Sequence, residues 1–200
     1  MSHQEHTDNV GAKLGMWLFL FTELLLFGGL FILYAVYLSR YPHEFGVAGH
    51  ELNVTFGAVN TVVLLTSSLL AAMAVTSVKR GERGLTLALL SGTLGCAAIF
   101  LVIKYFEWSA KIHHGIFPGS PRLVAGPPGE SIFFSLYYIS TGLHGVHVVI
   151  GGALLAWIAT RVKSGSINKG DNVALENATL YWHLVDLVWI FIFPLYYLIL

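Results

Sequence analysis

Charge is what this sequence has least of: lysine, arginine, aspartate and glutamate together make up 11% of 200 residues, in equal numbers of each sign. So few charges cannot cover a chain of this length with a water-facing surface, which excludes an ordinary soluble domain. A formal net charge of zero also excludes the electrostatic footprint of a nucleic-acid binder. Cysteine is nearly missing. Cys96 stands alone inside an apolar run, so an internal disulfide and a CxxC-type metal site are both ruled out, and the thiol reads as a small buried hydrophobe. The N-terminal stretch Met1 to Lys13 carries His3, Glu5, His6 and Asp8 where a secretory signal would have a basic region followed by a cleavage site. The first hydrophobic segment is therefore expected to remain in the mature protein.

What the chain does have is apolar length. Hydrophobic residues make up 56% of it, and the mean hydropathy is +0.70. Stretches of about twenty residues with few or no charges, each long enough to cross the hydrocarbon of a bilayer, recur five times. The reading is an all-α polytopic membrane protein with helices at 14–37, 57–78, 85–106, 132–160 and 177–200, preceded by a polar tail at 1–13. The links are 38–56, 79–84, 107–131 and 161–176. The third is rich in glycine and proline, and none is large enough for a core of its own. No internal repeat is evident.

Lysine and arginine are retained on the cytoplasmic side of a membrane, so their distribution sets an orientation. With the N-terminus inside, the inner side holds Lys13, Lys79, Arg80, Arg83, Arg161, Lys163 and Lys169, and the outer side holds Arg40, Lys104, Lys111 and Arg122. The excess predicts N-inside and C-outside. Tyr34, Tyr37, Trp108, Tyr181, Trp182, Tyr196 and Tyr197 fall near helix ends, as in an interfacial aromatic belt, whereas Trp17 and Trp189 lie deeper.

Ionisable side chains inside the hydrocarbon are costly, so each is a candidate for function. There are five: Glu23, His144, His147, His183 and Asp186. At about 1.5 Å per residue, Glu23 and Asp186 lie roughly 14 Å into helices that run the same way, and so at similar depth. His144 and His147 are spaced i, i+3, with Gly151 four residues on, which joins a histidine stripe to a position where a neighbouring helix can approach. His183 and Asp186 repeat the i, i+3 spacing. Two readings stand: satisfied polar contacts between helices, or groups that handle protons. Glu23, among Phe19, Leu20, Leu24, Leu26 and Phe27, is costly unless protonated or paired. A two-haem bundle needs two histidines on each of two helices, about two to four turns apart, and a copper or zinc site needs three or four convergent ligands. The membrane helices offer only three histidines, two of them one turn apart. No metal or haem is therefore expected on this chain, and no role is assigned to His113, His114, His3 or His6.

Five strings carry a resemblance. WLFLFTELLLFGGLF (17–31), NTVVLLTSS (60–68), KYFEW (104–108), STGLHGVHVVIGG (140–152) and YWHLVDLVWIFIFPLYY (181–197) closely resemble subunit III of the haem-copper oxidases, in that family's order and over nearly the whole chain. The long form of the family has seven helices in two groups around a lipid-filled cleft. This sequence looks like the five-helix form that lacks the first two.

The resemblance implies that Glu23 is the family's intramembrane carboxylate in its E-x-x-x-F-x-G/S pattern. Likewise His144, Gly145 and His147 match H-G-x-H, and His183 with Asp186 matches W-H-x-x-D. Glu107 matches the acidic residue after the third of these helices, and Arg161 the basic position that meets a lipid phosphate; both are assigned to lipid binding. Arg161 also reads simply as a positive-inside anchor.

The implied function is that of a non-catalytic accessory subunit of a proton-pumping cytochrome c oxidase. It would pack chiefly on subunit I, with subunit II and small subunits in the same complex. It would bind phospholipid, support proton uptake and protect the enzyme during turnover, with haem and copper held by the partner subunits. The expected location is a bacterial-type plasma membrane. Three other readings remain: subunit III of a quinol oxidase or its nitric-oxide-reductase-associated homologue; an independent proton-coupled transporter; and a purely structural assembly subunit. Paired half-helices or an inverted repeat would favour the transporter, and neither is visible.

Overall fold

The structure is a computed structural model that describes residues 9–198. His3 and His6, in the polar tail, and the last two positions of the fifth expected helix lie outside the described residues. Within them the chain forms α1 (Asn9–Arg40), α2 (Pro42–His50), α3 (Val54–Arg80), α4 (Arg83–His113), α5 (Pro121–Ala125), α6 (Pro128–Ser164) and α7 (Val173–Tyr197), with no strand. Five of these, α1, α3, α4, α6 and α7, are long and apolar enough to cross a membrane.

Local chemistry sets the helix ends. Asn53 caps α3 by accepting from the backbone N–H of Thr55 at 3.0 Å and of Phe56 at 3.3 Å. The same helix stops at Gly81, whose φ of 82° is one that a side chain would resist. Gly165 closes α6 in the same way, at φ 84°. Pro42, Pro121 and Pro128 sit at helix starts, where a missing N–H costs nothing.

The helices run further than hydropathy suggests, because charged residues continue them past the apolar core. Helix α4 reaches His113, so Glu107 and Lys111 stand on the same helix as Lys104 rather than in a link, and all three are buried. The link at 38–56 contains α2, which packs against α1, α6 and α7 through Phe45 and Ala48.

Helices α3, α4, α6 and α7 contact one another in that cyclic order, each antiparallel to the next, and form an up-down four-helix bundle. The backbones of the diagonal pairs α3 with α6 and α4 with α7 stay apart, so the space between them is filled by side chains, chiefly Trp182, Trp189, Phe100, Leu64 and Leu90. Helix α1 stands outside this ring against α6 and α7 and does not touch α3. Most of its surface is left to the surroundings, including Leu18, Phe21, Leu25 and Ile32. An apolar outer surface around a polar-containing interior is what lipid as solvent demands. The bundle has a first end, where α1 begins, and a second end, where α1 finishes.

Candidate functional site

Glu23, on α1, meets His147, on α6, with 2.8 Å between the carboxylate Oε2 and imidazole Nε2. The other ring nitrogen, Nδ1, lies 2.7 Å from the carbonyl of Leu143 one turn earlier. A carbonyl only accepts, so Nδ1 carries hydrogen and the Nε2–Glu23 contact shares a single proton between base and acid. A neutral pair and an ionic pair are then two positions of one proton with the same total charge. The pair sits on the seam between α1 and the bundle, with side-chain exposures of 15% and 11%, so it is shielded but close to the perimeter. Phe27 packs edge-on against the imidazole at 5.2 Å and Tyr181 stacks on it at 6.4 Å.

The other sequence-predicted groups lie inside or along the ring. His183 Nδ1 is 2.7 Å from Ser68 Oγ across the α3–α7 seam. Asp186, one turn on, is 3% exposed and faces the hydroxyls of Ser67 and Ser68 without a well-formed hydrogen bond to either. His144 is fully buried, with both ring nitrogens unpartnered, between Phe100 at 5.4 Å and Trp189 at 5.2 Å. Asn60 on α3 is likewise fully buried with its amide unpaired. The two i, i+3 stripes are thus divided between environments: His147 reaches α1 while His144 turns into the bundle.

Gly151 explains how α6 and α7 come so close. A Cβ there would lie 2.8 Å from Cε3 of Trp182. The indole in turn donates its N–H to Ser67 at 3.0 Å. Trp189 does the same one level higher, donating to Thr61 at 3.0 Å. Trp182→Phe removes the donor and keeps most of the ring. It is expected to cost about 0.5–1.5 kcal/mol, read as a lower thermal midpoint in mild detergent. An unchanged midpoint would show that the Ser67 contact contributes nothing.

At the second end the structure assembles a cluster that sequence reading missed. Lys104 donates to Glu107 Oε2 at 2.9 Å and to the Tyr197 hydroxyl at 2.7 Å. Glu107 Oε1 accepts from Tyr137 at 2.8 Å and from Tyr197 at 2.6 Å. The ammonium also faces the rings of Trp189, Tyr197 and Tyr137 at 4.7, 5.2 and 5.5 Å. Both carboxylate oxygens of Glu107 are therefore taken up by protein groups, and the residue is only 3% exposed. The signal was present in the K-x-x-E spacing of KYFEW, which puts both charges on one helical face. Arg161, at the far end of α6, is exposed, with its guanidinium 5.4 Å from the Trp157 ring. Among the described residues, no group of three or more His, Cys, Asp or Glu converges as metal ligands would.

Fold and site together define a five-span helical membrane protein whose buried polar side chains are held between helices. The chain belongs to the cytochrome c oxidase subunit III family, whose model matches residues 2–199. It is 30% identical over 195 residues to cytochrome bo(3) ubiquinol oxidase subunit 3 of Pseudomonas putida, covering 97% of this chain and 88% of that protein. It is also 30% identical over 193 residues to cytochrome c oxidase subunit 3 of Corynebacterium diphtheriae, covering 94% and 88%. A heme-copper oxidase subunit I+III of Aeropyrum pernix is 32% identical over 192 residues, covering 92% of this chain, which spans only 22% of that longer protein.

Proposed function

We propose that this chain is the non-catalytic subunit III of a proton-pumping cytochrome c oxidase, oriented with its first end toward the cytoplasm of a bacterial-type plasma membrane. Haem and copper belong to its partners, subunits I and II, with small subunits completing the complex. This chain's own contribution is to support subunit I through proton uptake, bound lipid and stability. The observation that carries the reading is the Glu23–His147 pair, a carboxylate and an imidazole sharing one proton on the seam of α1 and α6. Such a pair can pass its proton between carboxylate and imidazole with little rearrangement, because the heavy atoms are already within hydrogen-bond distance. Support for subunit I as the main partner comes from the Aeropyrum pernix protein, whose name joins I and III. Arg161, exposed at the cytoplasmic end, is the headgroup contact in this reading. Glu107, which the resemblance assigns to lipid binding, has both carboxylate oxygens engaged by Lys104, Tyr137 and Tyr197, and in this reading it holds the second end together instead.

Glu23→Gln tests the proton role. The complex should assemble with its usual haem and copper, yet pump fewer protons per electron and lose activity severalfold faster during turnover. Wild-type pumping and lifetime would leave a purely structural subunit. A second reading, subunit III of a quinol oxidase, is favoured by the equal identity to the Pseudomonas putida protein. A reduced-minus-oxidised spectrum of the complex purified through a tag on this chain separates the two. Haem a with a copper centre in subunit II supports the cytochrome c reading, and their absence supports the quinol one. A colourless chain that purifies alone would remove both in favour of a transporter.

A further inference from the structure

Inside the ring, four side chains meet at one level, one from each helix: Asn60 of α3, Phe100 of α4, His144 of α6 and Trp189 of α7. Three of them are rings in mutual contact, with Phe100 4.9 Å from Trp189 and 5.4 Å from His144, and His144 5.2 Å from Trp189. Asn60 is placed at the same level by its neighbour Thr61, which accepts the Trp189 indole N–H at 3.0 Å. The spacing of the buried residues Asn60, Leu64, Ser67, Ala71 and Ala74 turns that face of α3 inward. Asn60 and His144 are both fully buried, and they stand on the diagonal pair of helices whose backbones stay apart.

Among the described residues, neither the Asn60 carboxamide nor either ring nitrogen of His144 has a hydrogen-bond partner. Lipid cannot supply one, and a buried polar group left unpaired costs more than its hydrogen bond is worth. Protein interiors meet this demand with protein groups or with ordered water. The chemistry of the two groups selects the ligand. A neutral imidazole presents one N–H and one bare nitrogen, and a carboxamide presents N–H groups and an oxygen, so a ligand that joins them must both donate and accept. It must also be uncharged. No group of three or more His, Cys, Asp or Glu converges among the described residues, and the Lys104 ammonium, one turn along α4 from Phe100, is already balanced by Glu107 at 2.9 Å. It must be small, because Phe100, Trp189 and Leu64, all fully buried, close the layer. Water meets all three conditions, and a buried water typically makes about three hydrogen bonds.

We propose that this layer is a buried water-binding site, in which at least one ordered water bridges the Asn60 carboxamide and the His144 ring across the diagonal of the bundle. The water accepts from Asn60 Nδ2 and donates to the bare nitrogen of His144. It gives α3 and α6 a polar link at this level that no direct side-chain hydrogen bond supplies among the described residues, and so helps fix the register of one helix against the other. The site lies on the opposite side of α6 from the Glu23–His147 contact and does not depend on the proton role of Glu23.

The test is electron cryo-microscopy of the intact complex at a resolution that shows ordered water, joined to thermal midpoints of variants in mild detergent. The wild-type map should show a water within hydrogen-bond distance of both Asn60 and His144. Asn60→Leu should lose that water and lower the midpoint, because His144 is left without a partner. His144→Phe should do the same to Asn60. The double variant Asn60→Leu/His144→Phe should be no less stable than the weaker single variant, since no polar group then remains unpaired in the layer. A wild-type map with both side chains resolved and no water between them would overturn the proposal, and so would a direct Asn60–His144 hydrogen bond. Losses in the two single variants that simply add in the double would overturn it as well. The wild-type map decides the matter even where a variant fails to assemble.

Discussion

Glu107→Gln is expected to destabilise the chain by about 3–5 kcal/mol, because it leaves the buried ammonium of Lys104 without its counter-ion. The Lys104 side chain is 10% exposed and its partner 3%, so water is not at hand to replace the carboxylate. Two tyrosine hydroxyls that now donate to Glu107 would also lose an anionic acceptor. The aromatic faces around the ammonium offset part of the loss, but cation–π contacts are worth only about 0.5–2 kcal/mol. Lys104→Met should be as damaging for the opposite reason, since it strands the carboxylate. The double variant Lys104→Met/Glu107→Gln should recover much of the loss, because replacing a buried pair is far cheaper than breaking it. Thermal midpoints of the four proteins in mild detergent form a double-mutant cycle. Additive losses would mean that the pair is not coupled and that the cluster does not hold the second end.

The second large effect is expected at Gly151. Any side chain there meets the ring of Trp182, which is fully buried and cannot swing aside without breaking its bond to Ser67. Gly151→Leu should push α7 away from α6 and cost about 1–3 kcal/mol of overpacking. The displacement should also disturb Tyr181, which stacks on His147. Gly145, six residues earlier on the same helix, is the control. Nothing lies within 4 Å of a Cβ built there. Gly145→Ala should be neutral, or stabilising by about 0.5–1 kcal/mol from the lower entropy cost of helix formation. Similar thermal midpoints for the two variants would show that the close approach at Gly151 is not needed.

Several features of the chain are legible in its sequence. Glu23 stands out because a carboxylate flanked by Leu and Phe has to be paired or protonated, and the structure supplies a pair. Gly151 stands out from its spacing to the histidines, and it is where α7 comes against α6. Which groups meet is not legible. His144 and His147 share a stripe, yet a rotation of three residues, roughly 300° around the helix axis, sends one to α1 and the other to the bundle interior. Lys104 reads as an outer-side charge because hydropathy falls there, and hydropathy cannot tell a charge in water from a charge buried against its counter-ion. Ser67, Ser68 and Thr61 fall in the NTVVLLTSS string, but nothing in it says what they bind, since hydroxyls are common in membrane helices and gain meaning only from the indole and imidazole groups they face.

The amino-acid sequence by itself determined that this chain lives in lipid, that it crosses five times, and that a handful of ionisable groups would be buried on the way. These follow from transfer free energies, which add residue by residue along a segment. Only the tertiary structure decided that four helices close into a ring with α1 outside it. The same holds for the pairing of Glu23 with His147 and the sealing of Lys104 with Glu107 beneath two tyrosines. Such pairings depend on the rotation and register of one helix against another. In lipid, where apolar burial hardly favours one helix face over another, those are set by close packing at positions such as Gly151 and by hydrogen bonds far apart in the chain.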